Sequence, residues 1–158
     1  MAFEETFMRA AVAEAKKAAQ KGECPIGAVI VLDGKILARG HNLRETKECV
    51  INHAEIIAIQ KANKKLGSWR LDGCDLYVTL EPCAMCAGAI IQSRIRSVYF
   101  GAFDSKAGAC GSVTDLFVPG LFNHTVAVNG GIQKEECGAL LSDFFRNLRS
   151  QKKKGAQL

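Results

Sequence analysis

Two short segments constrain this chain more than anything else in it: His53-Ala54-Glu55 and Pro82-Cys83-Ala84-Met85-Cys86, with 29 residues between His53 and Cys83. Each stands where a helix is expected to begin. Pro82 suits a first helical turn, where its missing N–H is not needed, and it follows Leu76–Leu80, a β-branched and aromatic run that reads as a strand. Cysteines at i and i+3 on that turn project to one side, so both sulfurs can reach one ion. A helix start also favours thiolate over thiol. Serving both segments at once requires two helix starts to meet along one sheet, which a layered α/β arrangement provides.

The rest of the chain supplies the parts of such a fold. Phe3, Phe7, Ala11, Ala15 and Ala18 recur at helical spacing and predict a first helix ending near Gly22. After Pro25 comes an apolar strand, Ile26–Leu32, then the hairpin signal Asp33-Gly34 and a returning strand over Lys35–Gly40. The polar stretch His41–Asn52 reads as a loop. A second helix from Ala54 to about Leu66 is apolar on most sides and is expected to be buried. A third covers about Ala84–Ser93, and Ser97–Gly101 is a fourth strand. A Gly-rich loop with Gly108 and Gly111 leads to an expected short helix near Ser112–Phe117, followed by a fifth strand at Thr125–Val128. Cys137, Leu140, Leu141, Phe144, Phe145 and Leu148 mark one face of a final helix. The order implies an α/β fold with a five-stranded mixed sheet and helices on both faces.

Composition narrows the setting. A chain of 158 residues is one domain's worth, and 48% hydrophobic residues are enough for a core without disulfide staples. Seven cysteines, an odd number without framework spacing, fit a reducing compartment. Cys24, Cys49, Cys74, Cys110 and Cys137 read as small buried hydrophobes. No apolar run approaches the ~18 residues of a membrane span, and Met1-Ala2-Phe3-Glu4-Glu5 carries acids where a signal peptide carries bases. A cytoplasmic protein with no membrane partner is expected. The net charge is +5, with Arg146, Arg149, Lys152, Lys153 and Lys154 clustered at the C-terminus and Lys61, Lys64, Lys65 and Arg70 in mid-chain. Such a cluster suits a polyanion. A solvated, frayed terminus would read the same way from charge alone.

The donor set itself points to zinc, which takes one imidazole and two thiolates readily and in catalytic sites keeps a fourth position open for water. Two thiolates neutralise the ion while the histidine stays neutral, and a metal so held still lowers the pKa of bound water to roughly 7. Glu55 is then left over as a carboxylate able to carry the proton. Taken alone, Cys-x-x-Cys could be a redox pair or half of a structural zinc site, and His53 a satisfied polar residue. A structural finger needs a fourth ligand at ligand spacing, and neither Cys74 nor His41 forms such a pair.

The pattern His-x-Glu followed by Pro-Cys-x-x-Cys is the signature of the base-modifying zinc deaminases. The chain resembles them over nearly its whole length, and in particular the bacterial tRNA-specific adenosine deaminases, which make inosine at the anticodon wobble position. The segments that carry the resemblance are Pro25-Ile26-Gly27-Ala28-Val29, Gly40-His41-Asn42, His53-Ala54-Glu55 and Tyr77 through Ala89. Further on they are Gly101 through Gly108, Asn123-His124 and Ser142-Asp143-Phe144-Phe145-Arg146. The resemblance implies a three-layer α/β/α, cytidine-deaminase-like fold, with one deaminase domain over residues 1–151 and a basic tail over 152–158. It implies one Zn²⁺ per subunit on His53, Cys83 and Cys86, with Glu55 as the proton shuttle. Asn42 would hydrogen-bond the purine, with Ile26 and Ala54 beside it. Asp104, Lys106, Asn123, Phe144, Phe145 and Arg146 would contact an anticodon stem-loop. Ile26 reads equally as strand core, and the two phenylalanines as the buried face of a helix. Phe103 departs from expectation, being bulky and apolar where a polar residue would face substrate.

The resemblance also implies a homodimer in which the partner chain helps complete the site. The uncharged helix Ala84–Ser93 agrees, being too apolar to leave a face in water. Two other functions stay open: a deaminase of free guanine, cytosine or their nucleosides, and a structural zinc module that binds RNA without chemistry. The basic C-terminus, Asn42 and the Gly101–Gly111 loop favour the tRNA substrate. Glu55 beside three ligands argues against the inert module.

Overall fold

The computed structural model describes residues 4–156. Along them run α1 (Glu5–Gln20), β1 (Gly27–Leu32), β2 (Lys35–His41), α2 (Ala54–Leu66), β3 (Asp75–Leu80), α3 (Ala84–Gln92), β4 (Ser97–Ala102), β5 (Ala127–Asn129) and α4 (Lys134–Ala156). The strands form one mixed sheet in the order β2-β1-β3-β4-β5. β1 pairs antiparallel with β2 and β3, while β3–β4 and β4–β5 are parallel. The hairpin turn has positive φ at both central residues, Asp33 (51°) and Gly34 (76°), as the tight turns that match strand twist require.

Alternation along the strands sorts the core into two sides. Ala28 and Ile30, Leu76 and Val78, Val98 and Phe100 face α2 and α3, where they meet Ala58, Ala62, Ala87 and Ile90. Val29 and Val31, Tyr77 and Tyr99 face the other way, onto Phe7, Met8 and Ala11 of α1 and Cys137 of α4. The Tyr77 and Tyr99 rings stack there with centroids 4.7 Å apart. The fold is therefore three-layered, with α1 and α4 on one face and α2 and α3 on the other. Gly40 lets α2 lie directly on the sheet: a Cβ at this position would stand 2.5 Å from the Ala54 carbonyl oxygen. That contact fixes the height of the first turn of α2, and so of His53 and Glu55.

Three expectations differ from what is found. Residues 112–117 form no helix, because their amides are used elsewhere: Ser112 donates to the Glu81 carboxylate, Val113 to the Gly108 carbonyl and Leu116 to the Ala109 carbonyl. The expected tail at 152–158 is helical as far as it is described, since α4 continues to Ala156. Once Leu148 has ended the apolar face, Arg, Gln and Lys still propagate a helix well. The last strand lies at Ala127–Asn129 rather than Thr125–Val128. Phe3 lies outside the described residues, as do Gln157 and Leu158. No helix among the described residues is long and apolar enough to cross a membrane.

Candidate active site

His53 is the N-cap of α2 and Cys83 the N-cap of α3. Both have extended backbone, and their carbonyls accept the first helical bonds, from Ile57 (3.0 Å) and Ala87 (2.8 Å). With α2 and α3 side by side on one face of the sheet, the two caps meet. His53 Nδ1 lies 3.7 Å from Cys83 Sγ and 3.6 Å from Cys86 Sγ. All three donor atoms fall within 4.8 Å of one another, a set that can hold a metal ion. The donor chemistry fits a borderline-soft cation such as zinc. A hydrogen bond from the Cys86 thiol, opposed by burial and helped by His53, brings Cys83 down to about 4. Cys86 is pushed up in return, and the bond to Cys83 raises His53. A thiolate is therefore already favoured at Cys83.

Glu55, two residues beyond His53, is 4% exposed. Burial pushes its carboxyl up to about 7, with the Cys83 charge adding to the effect. That value suits a group that must both take and give a proton near neutrality.

The cluster opens into a cleft of about 450 Å³. Of the residues expected from the sequence, Ile26, His53, Glu55, Cys83, Asp104, Lys106 and Phe145 line it together. Asn42 is buried behind Ile26: its backbone N–H donates to the Ile26 carbonyl (3.1 Å), and its Oδ1 accepts the Arg44 N–H (3.2 Å). Ala54 is wholly buried against Gly40. Three residues lie elsewhere in this chain. Asn123 lines a separate hollow of about 750 Å³ with Trp69, Phe122 and Arg94 on the outer side of α3. Phe144 faces a groove shared with Ala19 and Gly22. Arg146 is exposed and paired with Asp143 at 3.2 Å. The two adjacent phenylalanines thus divide the two readings: Phe145 faces the cleft and Phe144 packs towards α1. Phe103 has a partner that explains its apolar character, meeting the Phe100 ring edge-on at 5.2 Å while it borders the cleft.

Sequence reasoning passed over Arg44, which lines the cleft, and two buried acids that hold its walls. Glu23 accepts the N–H groups of Glu45 (3.1 Å) and Thr46 (2.6 Å) and the Thr46 hydroxyl, and so fixes the turn that carries Arg44. Burial opposes ionisation of Glu23, yet these bonds outweigh it and hold the carboxyl below its usual value. Glu81 does the same on the opposite wall. For Glu81 the available signal was an acid between the apolar strand ending at Leu80 and Pro82; Glu23, preceded by Gln20-Lys21-Gly22, carries no such signal.

Two helix starts that present His-x-Glu and Cys-x-x-Cys to one point, on a mixed sheet covered on both faces, place the molecule among the hydrolytic deaminases of cytidine-deaminase-like fold. The model of the MafB19-like deaminase family matches residues 3–149. The tRNA-specific adenosine deaminase of Bacillus subtilis is 55% identical over 153 residues, 97% of this chain and 95% of that protein. A structure from work on A-to-I editing by tRNA:A34 deaminases at the wobble position of transfer RNA superposes with a TM-score of 0.84. It is 45% identical, and the match spans 87% of this chain and all of that one. A guanine deaminase from Nitrosomonas europaea is more distant, at 27% identity and a TM-score of 0.77 over 91% of this chain and 85% of that one. The chain belongs to this deaminase family.

Proposed function

We propose that this enzyme converts adenosine to inosine at the wobble position of a tRNA anticodon by hydrolytic deamination. The observation that carries the reading is a buried acid, Glu55, beside a three-donor cluster at the head of a cleft bordered by Arg44, Lys106 and Phe145. The reading is supported by near-full-length similarity to proteins of that activity. His53, Cys83 and Cys86 would hold one zinc ion per subunit, which when bound supplies the Lewis acidity that activates water. Glu55 would carry two protons in turn, the first from water to a ring nitrogen of the base and the second from the hydroxyl so added to the amine, which leaves as ammonia. Ile26 packs against the flipped base, and Asn42, braced by Ile26 and Arg44, hydrogen-bonds it. Asp104, Lys106 and Phe145 meet the neighbouring nucleotides. Anticodon loop bases are already partly unstacked, so turning one into the pocket costs less than from a duplex. Arg146 and the cations beyond it on α4 face phosphates. A cytoplasmic location goes with this substrate and with cysteines that are all free.

The likeness to a guanine deaminase keeps a second reading, a free-base deaminase, in view. Comparing turnover of an anticodon stem-loop, free adenosine and free guanine separates the two. The stem-loop should be turned over far faster than either, with inosine appearing at the wobble position alone. Comparable turnover of guanine would reject the tRNA reading.

The chain is also proposed to work as a homodimer. The hollow outside α3 carries Trp69 at 60% exposure and Phe122 at 49%, with Leu121 beside it at 51%. Contiguous apolar surface of this kind marks an interface. Asn123 lines that hollow, so its contact with RNA belongs to the assembled pair. Sedimentation at micromolar concentration should give a dimer, and an active monomer would refute it.

A further inference from the structure

Glu81 is a charged residue buried to 2% exposure between β3 and the Pro82-Cys83 half-site. No lysine or arginine pairs with it among the described residues. Four donors serve it instead. Oε1 accepts the Asp104 N–H (3.0 Å) and the Ser112 hydroxyl (2.5 Å), and Oε2 accepts the N–H groups of Cys110 (2.9 Å) and Ser112 (3.2 Å). These fill the roughly four lone-pair sites a carboxylate has. The loop wraps so closely that a Cβ on Gly108 would collide with the carboxylate carbon. Cys83 pairs with Gly108, and the Ala109 N–H donates to the Pro82 carbonyl at 2.8 Å, so the same loop is tied to the cysteine turn. From this anchor hangs the wall of the cleft. Asp104 Oδ1 accepts the N–H groups of Lys106 (3.0 Å) and Ala107 (3.1 Å), and its carbonyl accepts Gly108 (2.9 Å). The result is a tight turn that presents Ser105 and Lys106 to the cleft.

We infer that Glu81 is a positioning residue for substrate: its carboxylate sets the distance between the cysteine turn and the Asp104–Lys106 wall. Glu81 borders the cleft, but its acceptor sites are taken up by the four donors, so it acts through that wall. A carboxylate is required because all four incoming groups donate. Glutamine would place an NH₂ against two of them and leave donors facing donors.

This inference rests on the tRNA reading only for its kinetic test. Glu81→Gln should keep its metal and fold, while KM for the stem-loop rises and kcat changes less. Misplacement of a substrate wall by about 1 Å can cost on the order of 100-fold in kcat/KM. Ser112→Ala, which removes one donor at an exposed position, should shift KM in the same direction by a smaller factor. The two changes should be less than additive when combined. Independently of any substrate, amide exchange at Asp104, Cys110 and Ser112 should quicken in Glu81→Gln while the β-sheet amides keep their protection. Unchanged exchange at these three amides would overturn the inference, whatever the substrate proves to be. So would a Glu81→Gln or Ser112→Ala enzyme with wild-type KM, or one that loses kcat alone. Failure of the wild type to edit the stem-loop would reject the tRNA reading and leave the exchange test standing.

Discussion

Glu55→Ala should give a folded, zinc-loaded protein whose deamination rate has fallen by ~10²–10⁴ or more, the usual cost of losing a positioned general acid–base. Glu55 serves more than one proton step, which puts the loss at or above the top of that range. The change should spare the fold for a physical reason. Removing a carboxylate buried to 4% exposure relieves a desolvation cost that offsets the loss of its hydrogen bonds to its own N–H and to Cys86, and alanine is a good helix former in the first turn of α2. Single-turnover rates on a stem-loop, metal analysis and a thermal melt together check the prediction. A variant within tenfold of wild type would mean that another group moves the proton.

Cys86→Ala is expected to be as severe for a different reason. Cys86 is fully buried, and its sulfur is one of three donors converging within 4.8 Å. Two donors remain after the change, and they cannot hold the ion in the open three-ligand arrangement that catalysis uses. Metal and turnover should disappear together. A chelator should reproduce the loss in wild type, and added zinc should reverse it there but not in the variant. Cys74→Ala and Cys137→Ala provide the control, since both cysteines are buried in the hydrophobic core away from the cluster. Full metal content in Cys86→Ala would reject the ligand assignment.

What could be read from the residues, and what could not, divides by distance along the chain. The bounds of α2 were legible because its signal is local, an apolar pattern running from Ala54 to about Leu66; the structure ends the helix there, with Gly67 at φ of 62°. The hairpin at Asp33-Gly34 was legible for the same reason. The metal cluster was legible because ligand type and spacing are themselves local marks. Residues 112–117 misled because the loop that holds them is anchored on Glu81, some thirty positions earlier, which takes the Ser112 amide and hydroxyl. The strand order was also beyond reach, and with it the side of α3 on which Asn123 would come to lie. Phe144 and Phe145 could not be told apart, since adjacent helical residues diverge by about 100° and both fit a broad apolar face.

The extension of α4 to Ala156 changes how its cations can meet RNA. Had residues 152–158 been a loose tail, Lys152, Lys153 and Lys154 would sweep a volume and find phosphates wherever these lay. On a helix they keep both a distance and a bearing from Phe145, with Lys153 about 12 Å further along the axis at 1.5 Å per residue. Contact with RNA then becomes a matter of phase. One residue inserted after Asn147 would swing the whole cationic group through about 100°, whereas seven would return it nearly to its bearing two turns further out. On the proposed reading, the spacing between a base-side aromatic and its phosphate-side charges is written as an angle, and an insertion of one residue after Asn147 should weaken binding of a stem-loop more than an insertion of seven.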